Sequence, residues 1–170
     1  GDIGQAFLWW LRAYMDDPQS EQVADEIDRL AEVTLEWSYI VDVGDQILEA
    51  EDGVSPEVKL AVLSRSAKVL DHKMQDYDRA ISFYRQVLEL DQENAVALEA
   101  LDRIYSGAYM WEDLAEILQR RIQITLDTEE LVNLELRLAQ VFEEYLANPE
   151  NAIAAYNRAL DNDTRNETAL

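Results

Sequence analysis

The chain has 170 residues, which suffices for one compact domain or a short array of repeats. Its 14 basic and 36 acidic side chains give a formal net charge of −22, which argues against nucleic acids and anionic membranes as partners, because both require basic surfaces. Hydrophobic residues make up 48% of the chain, so a packed core can form. The sequence has no cysteine, which excludes disulfides and thiolate zinc sites, and its few glycines and prolines suit long helices with short turns.

Apolar residues recur at helical spacing along the whole chain, and helix-start signals separate the successive stripes. Ser55 and Asn148 each precede a proline, which is tolerated in the first turn of a helix, and Ser20, Asn94 and Thr128 are further capping residues. These signals predict nine helices, which lie at residues 3–16, 21–34, 37–50, 56–74, 77–91, 95–107, 111–126, 128–147 and 149–162. The short connections make consecutive helices antiparallel neighbours.

The sequence resembles itself at a long period. Shifting residues 66–98 by 72 positions onto 138–170 makes ten of 33 positions identical, against about two expected for unrelated segments. A second shift, of 74 positions, places Asp28 on Asp102 and Trp37 on Trp111. A long period in an all-helical chain indicates a solenoid of stacked helix pairs.

Residues 76–91 and 148–160 resemble the second half of a tetratricopeptide repeat, a helix–turn–helix unit of about 34 residues. Ala80 and Tyr84 stand where the family has a small residue and then an aromatic residue in helix B, and Ala152 and Tyr156 repeat that pair. The resemblance covers essentially the whole chain. It implies an all-α, tetratricopeptide-type α-solenoid, in which antiparallel helix pairs form a right-handed superhelix.

We therefore expect the chain to form one array over residues 1–170 and to be a fragment of a longer bacterial tetratricopeptide-repeat protein. Its parts are helix B of a preceding repeat at 3–16, repeats at 21–50, 56–91, 95–126 and 128–162, and the start of a next repeat at 165–170. Positions that depart from the family pattern include Asp28 and Asp102 at the small position of helix A, and Gly44 and Leu114 in helix B. In 56–92 and 128–162, helix A and its turn run one residue longer than usual.

The resemblance also implies that helix A lines an inner groove, which binds an extended peptide or a partner helix. The candidate groove residues carry mixed charge and are Asp25, Arg29, Glu32, Ser64, Lys68, Glu99, Arg103, Leu136 and Gln140. Since the chain is strongly acidic, we expect a protein or peptide partner of basic or mixed charge. Some family members grip a C-terminal carboxylate with a Lys, Arg and Asn cluster, but Arg29, Lys68 and Arg103 lack the accompanying asparagines.

Two other functions remain open, a structural segment that oligomerises by stacking through its ends and a regulatory domain of a larger enzyme. For stacking, the candidates are Phe7, Trp9 and Trp10, because the first helix lacks its repeat partner. Trp37 and Trp111 stand at the start of helix B, where we expect a large residue to pack in the core on the preceding helix.

No motif in the sequence supports catalysis, a cofactor or a metal, so we predict that the chain is not an enzyme. His72 is the only histidine and is expected to be solvated. Residues 161–167 begin like a calcium loop, but the glycine of its sharp turn is missing and Arg165 stands at a ligand position. The sequence leaves the compartment undetermined, with the cytoplasm slightly favoured.

Overall fold

A computed structural model describes residues 2–50 and 53–167, with side chains described as far as Asp163. Within these residues the chain forms nine α-helices and no strand, so the all-α prediction is confirmed. The helices are α1 (Ile3–Asp16), α2 (Glu21–Thr34), α3 (Ser38–Leu48), α4 (Pro56–Val69), α5 (Tyr77–Leu90), α6 (Ala95–Ala108), α7 (Trp111–Ile124), α8 (Thr128–Gln140) and α9 (Pro149–Glu167). Each helix begins within one residue of its predicted start.

Short polar side chains cap most of these helices, as the sequence predicts. Ser20, Ser55, Asn94 and Asn148 each accept a hydrogen bond from a backbone N–H three residues later. The predicted cap at Thr128 is wrong. The side chain of Asp127 accepts the bond instead, from the Glu130 N–H at 2.8 Å, and Thr128 is the first helical residue.

Two of the A helices, α4 and α8, end in a π-helical turn, at Leu70–Met74 and Val141–Tyr145. A residue in the left-handed conformation follows each turn, Gln75 with φ 55° directly and Ala147 with φ 48° after one intervening residue. These are the two A helices that are one residue longer than usual, and a π turn is the ordinary way for a helix to absorb an extra residue.

The chain divides into two compact units, Gly1–Gln92 (unit one) and Glu93–Leu170 (unit two). In unit one, α1 packs on α2 and α3, α3 packs on α4, and α4 pairs with α5. The largest fully buried side chains of unit one are Phe7, Tyr14, Ile27, Ile40, Leu63, Leu70 and Tyr84. The small residue and the aromatic residue of α5, Ala80 and Tyr84, are both buried, which agrees with their place in the repeat.

Gly44 lets α3 approach α4 closely. A β-carbon on this glycine would lie 2.6 Å from Ser66 Oγ and 3.3 Å from Val62 Cγ1, so a larger residue would require these side chains of α4 to move. In unit one the backbone of α3 therefore lies close to α4 at Gly44, the position where the family pattern has an aromatic residue.

In unit two, α6 pairs with α7, α7 packs on α8, and α8 pairs with α9. Its core includes Leu98, Leu101, Tyr105, Leu114, Leu118, Leu134, Leu138, Ala139, Phe142, Ala152, Ala155 and Ala159. The last helix continues to Glu167, beyond its predicted end at 162, so the backbone shows no break before the predicted next repeat at 165–170. Residues 168–170 of that repeat lie outside the described residues.

Candidate protein-binding surfaces

The predicted groove residues of unit one lie on the surface of α2 and α4. Asp25, Arg29, Glu32 and Lys68 are exposed, and Ser64 is half-buried. Lys73, in the π turn after α4, donates a hydrogen bond from Nζ to Glu32 Oε2 at 2.8 Å. This ion pair connects the two A helices of unit one at their solvent-facing edge.

A second ion pair connects the same two helices closer to the core. Arg65 Nη2 lies 2.6 Å from Asp28 Oδ1 and 2.8 Å from the carbonyl oxygen of Ala24. The guanidinium also lies over the ring of Tyr14, with 5.4 Å from Cζ to the ring centroid. Burial raises the pKa of the Asp28 carboxyl above its ordinary value, and the positive charge of Arg65 offsets this effect only in part.

The predicted groove residues of unit two, Glu99, Arg103, Leu136 and Gln140, are exposed on α6 and α8. Below them Asp102, which is 4% exposed, is held by two guanidinium groups. Arg137 forms a bidentate pair with its carboxylate, at 2.6 and 2.9 Å, and Arg121 also donates to it. Burial acts to raise the pKa of Asp102, but the hydrogen bonds and charges of Arg137 and Arg121 prevail, so this pKa lies below its ordinary value.

The two aspartates that depart from the family pattern thus have the same structural role. Asp28 and Asp102 are related by the shift of 74 residues, and their partners Arg65 and Arg137 by the shift of 72. Each pair joins the two A helices of its unit. Sequence reasoning missed these pairs, although the repeated aspartate at a position that is usually small was a signal that both aspartates have a structural role.

Two tyrosines also form equivalent contacts in both units. The Tyr84 hydroxyl donates to Asp71 Oδ2 at 3.2 Å, and the Tyr156 hydroxyl donates to Glu143 Oε2 at 2.8 Å. Both acceptors lie in or beside the π turn of helix A, so each bond connects helix B to the turn of its own repeat. The contact is buried in unit one and exposed in unit two.

Trp37 of unit one borders a cavity of about 270 Å³, which we call the Trp37 pocket. Its other lining residues are Asp28, Glu32, Lys68, Val69, His72 and Lys73. The Lys73 ammonium lies 4.5 Å from the centroid of the Trp37 ring. In this position the cation interacts with the ring face.

Trp111 is the corresponding residue of unit two, and its neighbour is aromatic. The ring of Tyr145 stacks on it with centroids 3.7 Å apart and planes 10° apart, and Tyr109 packs against it edge-on. Trp37 and Trp111 are both half-buried. The predicted core packing is therefore only partly met, because neither ring is fully buried. The preceding helix does contribute neighbours, since Tyr109 ends α6, but each ring also contacts the π turn of the following helix A.

The three aromatic residues predicted for end stacking differ in their exposure. Phe7 is 1% exposed and packs edge-on against Tyr39, so it belongs to the core and not to the surface. Trp9 is 65% exposed, whereas Trp10 is half-buried. A cavity of about 420 Å³ borders Trp9, and its other lining residues are Gln5, Leu8, Leu11, Arg12, Met15, Tyr39 and Val43.

The described residues contain no group of three or more histidine or acidic side chains that could hold a metal ion. His72 is exposed, with Nε2 at 3.7 Å from Asp71 Oδ2. Residues 161–167 continue α9, so their backbone is helical and does not form a calcium loop. In the part of the chain that the structure describes, no helix is both long and apolar enough to cross a membrane.

Comparison with known proteins bears on the family and the fold. The sequence model of the tetratricopeptide repeat matches residues 62–94, which run from α4 through the first π turn to the end of α5 and the cap of α6. The match concerns residues 62–94 and is to one such repeat. No curated protein matches the sequence.

Among solved structures, the crystal structure of MamA, a protein that contains tetratricopeptide repeats, is similar to this chain. The two are 14% identical, and the alignment covers 99% of this chain and 92% of MamA with a TM-score of 0.50. At this identity the likeness concerns the fold alone, and it confirms the tetratricopeptide-type α-solenoid. The repeat and the fold support a protein-interaction scaffold, a class that is typically non-catalytic.

Proposed function

We propose that the exposed faces of the A helices bind an extended peptide or a helix of a partner protein. The observation that carries this proposal is the placement of the candidate residues. All nine lie on A helices and eight are exposed, while side chains of the same helices such as Ile27, Leu63, Leu98 and Leu138 are fully buried. The core and the ion pairs fix the backbone of these helices within each unit, so each unit presents its exposed residues on a preorganised backbone.

The charge of the chain favours a basic or mixed-charge partner. With a net charge of −22, the protein attracts basic segments over several ångströms, and this attraction raises the rate of encounter. The candidate surfaces include both signs, with Asp25 and Glu32 beside Arg29 and Lys68 in unit one. Such a mixture supports selection of a partner by charge pattern in addition to total charge.

Peptides selected from a random library against the full chain test this proposal. We expect Asp25→Lys, on the candidate surface, to weaken a selected basic peptide about threefold to tenfold, because a favourable charge becomes a repulsive one. Glu89→Lys on α5 is the matched control, since Glu89 is also exposed and the change of charge is the same. The dissociation constants should rise with salt in wild type. Equal loss in both variants would contradict binding through the A helices. An affinity that salt does not change would contradict electrostatic steering of the partner.

Stacking through the end of the chain is a second candidate function, favoured by the exposed apolar surface of α1. Trp9, Leu8 and Met15 are exposed beside the cavity between α1 and α3. Sedimentation at increasing protein concentration tests it. We expect a rise in mass that Trp9→Glu abolishes, while Val33→Glu, at another exposed apolar position, leaves it unchanged. A mass that stays constant with concentration would exclude this function.

A further inference from the structure

Trp37 and Trp111 occupy equivalent places in the two units but have different neighbours. Each stands at the start of a B helix, and each contacts the residue two positions before the left-handed residue that follows the next A helix. That residue is Tyr145 in unit two, whose ring lies flat on Trp111 at 3.7 Å. In unit one it is Lys73, which places only an ammonium group over Trp37.

The lysine leaves space beside the tryptophan that a ring could occupy. The Trp37 pocket, of about 270 Å³, opens at this point. Its volume is close to the lower end of the range of roughly 300–1,000 Å³ that is common for ligand pockets. The side chain of Lys73 is 41% exposed, and its bond to Glu32 is a surface ion pair, so displacing it costs little.

We infer that the Trp37 pocket receives a tyrosine, phenylalanine or tryptophan side chain of the partner protein. The ring would stack on Trp37 in the place that Tyr145 takes on Trp111. This inference rests on the proposed function and names the anchor by which the partner is held. Glu32 and Lys68 at the margin of the pocket would then contact charged residues on either side of that ring, which suits a mixed-charge segment.

The indole N–H signals of the full chain in ¹⁵N NMR spectra report on this pocket directly. The probes are N-acetyl-tyrosinamide and N-acetyl-phenylalaninamide, with N-acetyl-leucinamide and N-acetyl-lysinamide as controls. We expect the two aromatic probes to shift the Trp37 signal saturably and to leave the Trp111 signal unchanged. A leucine or lysine probe that binds equally well would overturn the inference, as would the absence of any shift.

Two exchanges between the units provide matched variants. Lys73→Tyr places in unit one the residue that unit two already has, so we expect the Trp37 pocket to close and the affinity for the aromatic probes to fall at least tenfold. Tyr145→Lys makes the opposite change, and Trp111 should then respond to the same probes. Both variants keep their tryptophan, and circular dichroism checks that they fold. Lys73→Tyr with unchanged affinity would contradict the inference.

The test of the Trp37 pocket can be distinguished from the test of the proposed function. If Asp25→Lys weakens a selected peptide while Lys73→Tyr does not, the A helices bind the partner but the Trp37 pocket is not its anchor. If neither variant changes the affinity, the proposed function and the inference both fail. Loss of peptide affinity in both variants, with Glu89→Lys unchanged, supports both.

Discussion

The aspartate of the first A helix has opposite electrostatic properties in the two units. In unit one, Asp28 has a single arginine partner, its side chain is 49% exposed, and its pKa is raised. In unit two, Asp102 is buried between two arginines and its pKa is lowered. Equivalent positions in a repeat therefore do not imply equivalent ionisation. The hydrogen bonds and charges of two guanidinium groups overcome the desolvation penalty at Asp102, whereas the charge of Arg65 does not overcome it at Asp28.

The second A helix shows a related difference. Glu135 of unit two is 2% exposed and forms a bidentate pair with Arg158 at 2.7 and 2.9 Å. The equivalent residues of unit one, at a shift of 72, are Leu63, which is buried, and Gln86, which is half-buried. Unit one therefore closes this part of its core with the apolar side chain of Leu63. Unit two instead buries the Glu135 carboxylate and pairs it with Arg158, whose side chain is 50% exposed.

The largest effect that we expect comes from replacing the aspartate of the first A helix in unit two. Asp102→Asn should lower the free energy of unfolding by about 3 kcal/mol at pH 7, because two arginines lose the charge that compensates them. Asp28→Asn, the matched control, should cost less than about 1 kcal/mol, since the Asp28 side chain is 49% exposed. Urea unfolding followed by circular dichroism measures both. Equal losses would show that the two pairs are energetically equivalent despite their geometry.

Replacing Glu135 and Arg158 of unit two by the corresponding residues of unit one tests the difference between the second A helices. Arg158→Gln alone should cost roughly 2 kcal/mol, because Glu135 stays buried without its partner. Adding Glu135→Leu reproduces the unit one residues and should restore most of that loss, since well-packed apolar residues commonly match a buried ion pair in stability. The same urea experiment measures the double variant. A double variant that is less stable than Arg158→Gln would mean that the two cores cannot be interchanged.

Removing the repeated tyrosine hydroxyl should have a smaller effect, which again depends on the unit. Tyr84→Phe should cost about 1 kcal/mol, because the hydroxyl donates to a carboxylate in the core. Tyr156→Phe should change the thermal midpoint little, because its bond to Glu143 is exposed to water. Calorimetry of both variants provides the test, and a larger loss for Tyr156→Phe would contradict it.

The smallest effect that we expect is the change of folding stability with pH, which should have opposite signs for the two aspartates. The lowered pKa of Asp102 means that its contribution is present at neutral pH and is lost as the pH falls through that lowered value. The raised pKa of Asp28 means that its contribution is greatest in acid and is lost as the pH rises through the raised value. The stability of wild type relative to each asparagine variant, measured from pH 7 to pH 3, should therefore fall for Asp102→Asn and rise for Asp28→Asn. The same sign in both would disprove the electrostatic difference.

Most of the fold could be predicted from the sequence because its signals are local. Helix starts depend on capping residues within three positions, as at Ser20 and Asn94, and the repeat period is visible as identities at a fixed shift. The burial of Phe7 was also accessible, since Phe7, Leu11 and Tyr14 have the spacing of one helix face and all three are buried.

The parts that could not be predicted depend on stacking between helices. Arg65 and Arg137 reach aspartates 37 and 35 residues earlier in the chain, and no local pattern indicates that distance. The neighbours of Trp37 and Trp111 likewise follow from the path of the π turns. The candidate surface residues could be predicted to lie on exposed faces of the A helices. The sequence does not indicate which residues of a partner contact them.

The two π turns have a consequence for anyone who wishes to lengthen or shorten such an array. They occur at the second A helix of each unit, after α4 and α8, whereas α2 and α6 end directly in a left-handed residue, Leu35 and Tyr109. The smallest module that repeats with its helix ends intact is therefore a pair of repeats, 72 to 74 residues long. Copies should be added or removed as whole pairs, since a single inserted repeat would join helix ends of two different kinds.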